Sequence, residues 1–154
     1  MMQSLELKIP PPIVAAIVAL IMWGVSRFPP SVEVPELVRH ILIFVLAATG
    51  LGFDFSGLIV FRRAKTTVNP MTPHSASSMI TSGVYRVTRN PMYVGLFFLM
   101  CAWAVYLSSP WAFLGPVAFA VYIDRFQIRP EERALVALFG EDFLAYKAKV
   151  RRWL

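Results

Sequence analysis

Apolar residues gather in four stretches along the chain. The first runs from about Ile9 to Phe28 and the second from about Leu37 to Phe61. The third covers about Pro91 to Leu107, and the fourth about Trp111 to Ile128. At ~1.5 Å per residue the second is long enough to cross ~30 Å of hydrocarbon, while the other three are marginal for that span. Pro29, Pro30 and Pro35 break the chain between the first two, and Ser108-Ser109-Pro110 leaves a tight turn between the last two. The pattern predicts an all-α integral membrane protein of about four transmembrane helices, the last two forming an antiparallel hairpin.

A different pattern follows Pro130. Leu135, Leu138, Phe139, Phe143 and Tyr146 recur at helical spacing among charged residues, which predicts an amphipathic helix over 131–150. Pro130, Glu131 and Glu132 suit its N-terminus, and Lys147, Lys149, Arg151 and Arg152 suit its C-terminus through the macrodipole. Gly140 marks a point where this helix kinks or splits. The apolar face serves packing or contact with the membrane surface.

Composition supports lipid as the main solvent. The 154 residues form one domain, 57% hydrophobic and 16% charged, against about a quarter charged in soluble domains. The net charge of +6 does not indicate nucleic acid, because the basic residues flank apolar runs and form no stripe interleaved with aromatics. Cys101 is alone, so no internal disulfide forms, and its apolar setting reads as core. The opening MMQSLELKIPPP, with Glu6, Lys8 and three prolines, does not resemble a signal peptide.

Charge also fixes orientation. Arg62, Arg63, Lys65, Arg86 and Arg89 lie between the second and third stretches. Arg125, Arg129, Arg133, Lys147, Lys149, Arg151 and Arg152 end or follow the fourth, and the turn at Ser108 has none. With four spans, both termini and the 62–90 loop face the cytoplasm, so the two polar segments meet on one side.

Within that loop, residues 81–95 (TSGVYRVTRNPMYVG) mix turn formers with aromatics and arginines. Asn90-Pro91 starts the third helix, and its free N–H groups, with Arg86 and Arg89, could bind a carboxylate or phosphate; a plain capped helix with snorkelling arginines accounts for the same residues. Asp124 reads as an interfacial ion pair with Arg125. Asp54 could pair with Arg125 or cap a helix break. His40 and His74 have no metal-ligand spacing, and no metal site is expected.

Ser82-Gly83-Val84-Tyr85 followed by Arg89-Asn90-Pro91-Met92-Tyr93-Val94-Gly95 resembles the signature of the isoprenylcysteine carboxyl methyltransferase family, as do Glu131-Glu132, Phe139-Gly140-Glu141-Asp142-Phe143 and Tyr146-Lys147. The resemblance covers roughly Thr66 to the C-terminus and makes 62–154 the cofactor-binding catalytic portion, with two N-terminal spans in 1–61. It implies that S-adenosyl-L-methionine is the cofactor, held at the cytoplasmic helix ends and enclosed by the C-terminal segment. By position, its contacts are Ser77, Ser78, Met79, Ile80, Tyr85, Asn90, Pro91, Met92, Tyr93 and Glu131. Asn90 stands where the family usually has histidine, so no proton shuttle is assigned there. Gln127 stands where the family has its substrate-carboxylate arginine, which leaves Arg125 and Arg129 as candidates for that role.

The implied reaction is methyl transfer to a lipophilic acceptor that enters from the bilayer among the membrane lipids. A carboxylate acceptor needs no general base. An amine acceptor, as in phospholipid headgroup methylation, needs a proton acceptor, and Glu132 is the nearest. A membrane reductase using NADPH and a non-enzymatic scaffold are the competing classes. The expected location is the bacterial inner membrane.

Overall fold

The computed structural model describes residues 6–64 and 78–154. Helix α1 spans Pro11–Val25, α2 Glu36–Ala64, α3 Pro91–Leu107, α4 Leu114–Ile123 and α5 Arg129–Lys149. Turns of 3-10 helix at Gly83–Arg86 and Pro110–Phe113 precede α3 and α4, and a π-helical turn at Asp124–Ile128 carries α4 into α5. The described residues contain no strand, and one isolated bridge joins Thr88 to Arg151. Helices α1 and α3 each carry proline in the first turn, where a missing N–H breaks no intrahelical bond, and Pro130 follows the π-helical turn at the start of α5. Ser108 ends α3 in the left-handed conformation (φ 50°, ψ 36°), which turns the chain into the expected hairpin.

The chain passes from one end of the bundle to the other four times. At the first end, the Leu7 amide donates to the Phe126 carbonyl (3.1 Å), and Phe61 meets Tyr85 edge-on with centroids 5.6 Å apart. At the far end, the Val32 amide donates to the Ser108 carbonyl (2.8 Å), and Trp111 Nε1 donates to the Pro29 carbonyl (3.1 Å). The polar segments around 6–8, 78–90 and 124–133 therefore share one end, in accord with the charge pattern.

Val14 and Met22 of α1, Met100 and Ala104 of α3, and Phe119 and Ile123 of α4 form the buried core. Helix α2 lies on α3, where two glycines let the backbones touch. A Cβ on Gly50 would stand 2.8 Å from the Gly95 carbonyl oxygen, and one on Gly95 would stand 2.7 Å from that of Gly50. Small residues permit such close helix approach where apolar burial gives little drive.

Leu37, Ile41, Phe44, Phe55 and Ile59 of α2 are exposed, an apolar surface suited to lipid. Helix α2 is long and apolar enough to cross a membrane; α1 and α3 are shorter apolar helices. It runs unbroken past Asp54, whose carboxylate lies against Gly95. Arg125 pairs instead with Glu6 (3.4 Å), so neither role expected for Asp54 is realised.

Gly140 interrupts α5 with φ 52° and ψ −126°, a conformation glycine adopts without strain. The break divides the expected apolar face. Phe143 is buried and packs near Tyr146, with centroids 6.2 Å apart, whereas Leu138 is exposed.

Candidate active site

Two adjacent carboxylates, Glu131 and Glu132, lie in the first turn of α5. Neighbours on a helix point about 100° apart, so Glu131 and Glu132 meet different surroundings.

Glu132 is a clamp. Its carboxylate accepts from Arg89 Nη2 (2.7 Å) and from Arg152 Nη2 (2.8 Å) and Nε (3.0 Å), with Lys147 Nζ at 3.1 Å. Burial pushes its carboxyl up, but the hydrogen bonds from Arg152, Arg89 and Lys147 outweigh burial and hold it down at about 2. Arg89 also donates through Nη1 to the carbonyls of Lys147 (3.0 Å) and Val150. Thr88 Oγ1 (3.1 Å) and Asn90 Nδ2 (2.9 Å) both donate to the Arg152 carbonyl. Trp153 then packs towards Phe97, with centroids 6.5 Å apart. Residues 150–153 are thus strapped across the segment that leads into α3.

Glu131 faces the bundle. Its Oε1 accepts from the Tyr93 hydroxyl (2.6 Å) and from Gln127 Nε2 (2.6 Å). Burial pushes its carboxyl up to about 7; the Tyr93 and Gln127 hydrogen bonds oppose the rise and the neighbouring Glu132 charge adds to it. Both hydrogen bonds fall on Oε1, which leaves Oε2 able to accept a further donor.

The remaining polar groups support this pair. Tyr85 is buried beside the cluster, and burial, with the nearby Tyr146 and Glu131, raises its phenol well above the ordinary value. Its carbonyl accepts from the Tyr146 hydroxyl (2.7 Å), whose own pKa is pushed up to about 12 by burial.

Among the residues expected from the sequence, Tyr93 and Glu131 touch directly. Asn90 joins them through the strapped C-terminus, and Tyr85 lies alongside. Pro91 is buried, and Met92, Met79 and Ile80 are half-buried, while Ser78 is exposed. Ser77 and His74 lie outside the described residues. Arg89 is engaged with Glu132 and main-chain carbonyls and is not free for an anion, while Arg86 is exposed. The residues named for acceptor chemistry stand apart from Glu131. Arg129 pairs with Asp124 (2.8 Å), Arg125 with Glu6, and Glu132 with its three cations. Asp124 does not pair with the adjacent Arg125; it bonds Arg129 and Arg152 (2.7 Å), reached across the π-helical turn.

Arg152 was not legible as a site residue, and Gln127 was met only as the position of a missing acceptor arginine, not as a partner of Glu131. Gln127 lies four residues before Glu131, the spacing at which helix side chains meet, and that spacing was the available signal.

The profile of phospholipid methyltransferases matches residues 38–142. The chain belongs to the phospholipid methyltransferase family. The human protein-S-isoprenylcysteine O-methyltransferase is 37% identical over 126 residues, covering 75% of this chain and 42% of that protein. Protein-S-isoprenylcysteine O-methyltransferase A of Arabidopsis thaliana is 32% identical over 132 residues, 83% of this chain and 58% of that protein. An uncharacterised Haemophilus influenzae protein is 43% identical over 63 residues, 41% of this chain and 100% of that protein. The chain thus spans about half the length of the methyltransferases it matches. No solved structure matches it. The resemblance seen in the motifs is borne out, and the matched segment includes both Tyr93 and Glu131.

Proposed function

We propose that this member of the phospholipid methyltransferase family is an S-adenosyl-L-methionine-dependent methyltransferase that modifies a lipophilic acceptor at the cytoplasmic face of a bacterial inner membrane. Helices α1 to α4 (with the turns flanking α4) are read as four spans. The 17 residues of α3 reach about 26 Å, enough with modest local thinning of the bilayer. The arginine-rich end then faces the cytoplasm.

Glu131 carries this reading. A buried carboxylate held near neutrality, with one oxygen already bonded and the other able to accept, suits a ligand that brings its own positive charge and N–H or O–H donors. The donor set therefore fits S-adenosyl-L-methionine, which when bound supplies an electrophilic methyl group on a sulfonium. Glu131 Oε2 pairs with the ligand ammonium or a ribose hydroxyl. Asn90 Oδ1 accepts a donor at a polar edge, while Tyr85, Pro91, Met92 and Tyr93 provide apolar and aromatic walls, with Ser78, Met79 and Ile80 on the approach. Tyr93 and Gln127 orient Glu131, and the Glu132 clamp holds the C-terminal strap over the site.

Two acceptor chemistries follow. For a carboxylate, as in the relatives named protein-S-isoprenylcysteine O-methyltransferase, the nucleophile is ionised at neutral pH, and positioning dominates the rate. Arg125 or Arg129 would orient that anion by exchanging its present carboxylate partner for the acceptor. For a phospholipid headgroup amine, a proton must leave nitrogen. Glu132, the acceptor first expected from the sequence, is held at about 2 by its three cations and is a poor proton acceptor. Carboxyl methylation, which needs no proton acceptor, is therefore the primary reading.

Incubating the purified protein with methyl-labelled S-adenosyl-L-methionine and a whole-membrane lipid extract tests the proposal. Base-labile label in a lipophilic acid marks carboxyl methylation, and base-stable label in a headgroup marks N-methylation. Label confined to water-soluble products would overturn a lipophilic acceptor.

A further inference from the structure

The bundle end opposite Glu131 carries a second polar feature. A cleft of about 490 Å³ opens between the C-terminal end of α1, the start of α2 and the C-terminal end of α3. Trp23, Arg27, Arg39, Trp103 and Tyr106 line it. The Arg27 guanidinium sits 4.5 Å from the Trp23 ring centroid, and Trp103 and Tyr106 stack with centroids 5.1 Å apart. Trp103 Nε1 donates to the Ala19 carbonyl (3.1 Å), which fixes that aromatic wall to α1.

The two arginines differ from Arg89, Arg125, Arg129, Arg133 and Arg152 at the other end, each of which pairs with a carboxylate. Every ion pair among the described residues lies at the Glu131 end, and none includes Arg27 or Arg39. Arg39 makes one long side-chain contact, from Nη1 to Ser108 Oγ at 3.5 Å, and its Nε is buried with no hydrogen-bond partner; Arg89 Nε is also unpaired, but the rest of that guanidinium is held by Glu132 and main-chain carbonyls. A snorkelling arginine turns its head to water and leaves no guanidinium nitrogen buried and unpaired. An unpaired buried N–H in a cleft lined by a second guanidinium that has no carboxylate partner is the complement of a bidentate anion. Tryptophan and tyrosine at a membrane interface place that anion at headgroup depth.

We propose that this cleft binds the phosphodiester of a membrane phospholipid, with Arg39 donating side-on through Nε and Nη and Arg27 closing the pair of charges. The site is separate from the methyl-transfer site and shares with that reading only the placement of the bundle in a bilayer. It gives the short α1–α2 connection a lipid anchor on the face away from the chemistry.

The test is a native mass spectrometric titration of the full chain, purified in detergent, with phosphatidylglycerol. Arg39→Gln and Arg27→Gln are each expected to weaken the first lipid bound by about tenfold, the scale of one charge-assisted hydrogen-bond pair. Arg63→Gln, an exposed arginine at the other end, leaves it unchanged. Arg39→Lys keeps charge and fold but loses the fork, so it also weakens binding. Diacylglycerol, which lacks phosphate, binds the native chain no better than phosphatidylglycerol binds Arg39→Gln. Equal affinity across the variants, or loss in Arg63→Gln instead, overturns the proposal. Displacement of the lipid by inorganic phosphate at about 10 mM overturns the lipid assignment. S-adenosylhomocysteine binding to the same samples reports separately on the methyl-transfer site, so either reading can fail alone.

Discussion

Replacing Glu132 by glutamine removes a charge without removing volume. The native carboxylate, about 9% exposed, joins α5 to Arg89 before α3 and to Arg152 in the C-terminal strap. Its pKa is lowered from 4.5 to about 2, against the effect of its own burial. A depression of that size corresponds to about 3 kcal/mol of stability at neutral pH. Stranding Arg89, equally buried, gives a similar figure of ~3–5 kcal/mol for a broken buried pair. Lys147, 39% exposed, adds little because solvent screens it. For a chain of this size, about 3 kcal/mol lowers Tm by ~6–12 °C. Because the folded-state pKa is depressed, this stabilisation is complete above about pH 4.5 and is lost as pH falls through about 2. Thermal unfolding of both proteins in the same detergent, from pH 8 to 2, should therefore give curves that differ most at neutral pH and converge near pH 2. A difference under about 2 °C at pH 7, well below that estimate, or one that persists at pH 2, would refute the clamp.

Glu131 titrates in the opposite sense. Its raised pKa means that the stability it contributes is present below about 4.5 and lost as pH rises through about 7. A ligand ammonium beside Glu131 favours the ionised form, so S-adenosylhomocysteine affinity, measured by calorimetry, should rise between about pH 6 and 8 with proton release, and Glu131→Gln should abolish that dependence. Tyr93→Phe removes a 2.6 Å donor to Glu131; we expect about tenfold weaker binding at pH 7 and a binding profile displaced to higher pH. Gly95→Ala places a methyl group 2.7 Å from the Gly50 carbonyl and against the Asp54 carboxylate, so it should destabilise by ~1–3 kcal/mol, read as a lower Tm with α2 displaced. Unchanged Tm there would mean that the α2–α3 approach is looser than described.

The helices were legible because their signals are local. The third stretch was bounded at Pro91 and Leu107 by a proline start and a turn, and both bounds coincide with those of α3. Gly140 was legible as a break because a single residue type carries the property. The fourth stretch was harder, since hydropathy does not distinguish an α-helix from the turns flanking it; Trp111 to Ile128 contains α4 between a 3-10 and a π-helical turn. The pairing of charges was least legible. Asp124 has Arg125 as its sequence neighbour but bonds Arg129 and Arg152, because the π-helical turn and the returning C-terminus set the geometry. Likewise Glu131 and Glu132 are equivalent in sequence. One becomes near-neutral and the other strongly acidic only when Arg89 and Arg152 arrive from 43 and 20 residues away.

Cofactor discrimination by the purified protein tests methyl transfer most directly. S-adenosylhomocysteine is expected to raise the melting temperature of the native chain, to do so less for Glu131→Ala, and NADPH is expected to leave it unchanged. Stabilisation by NADPH with none by S-adenosylhomocysteine would contradict the assignment of Glu131 and Tyr93 to a methyl-donor site.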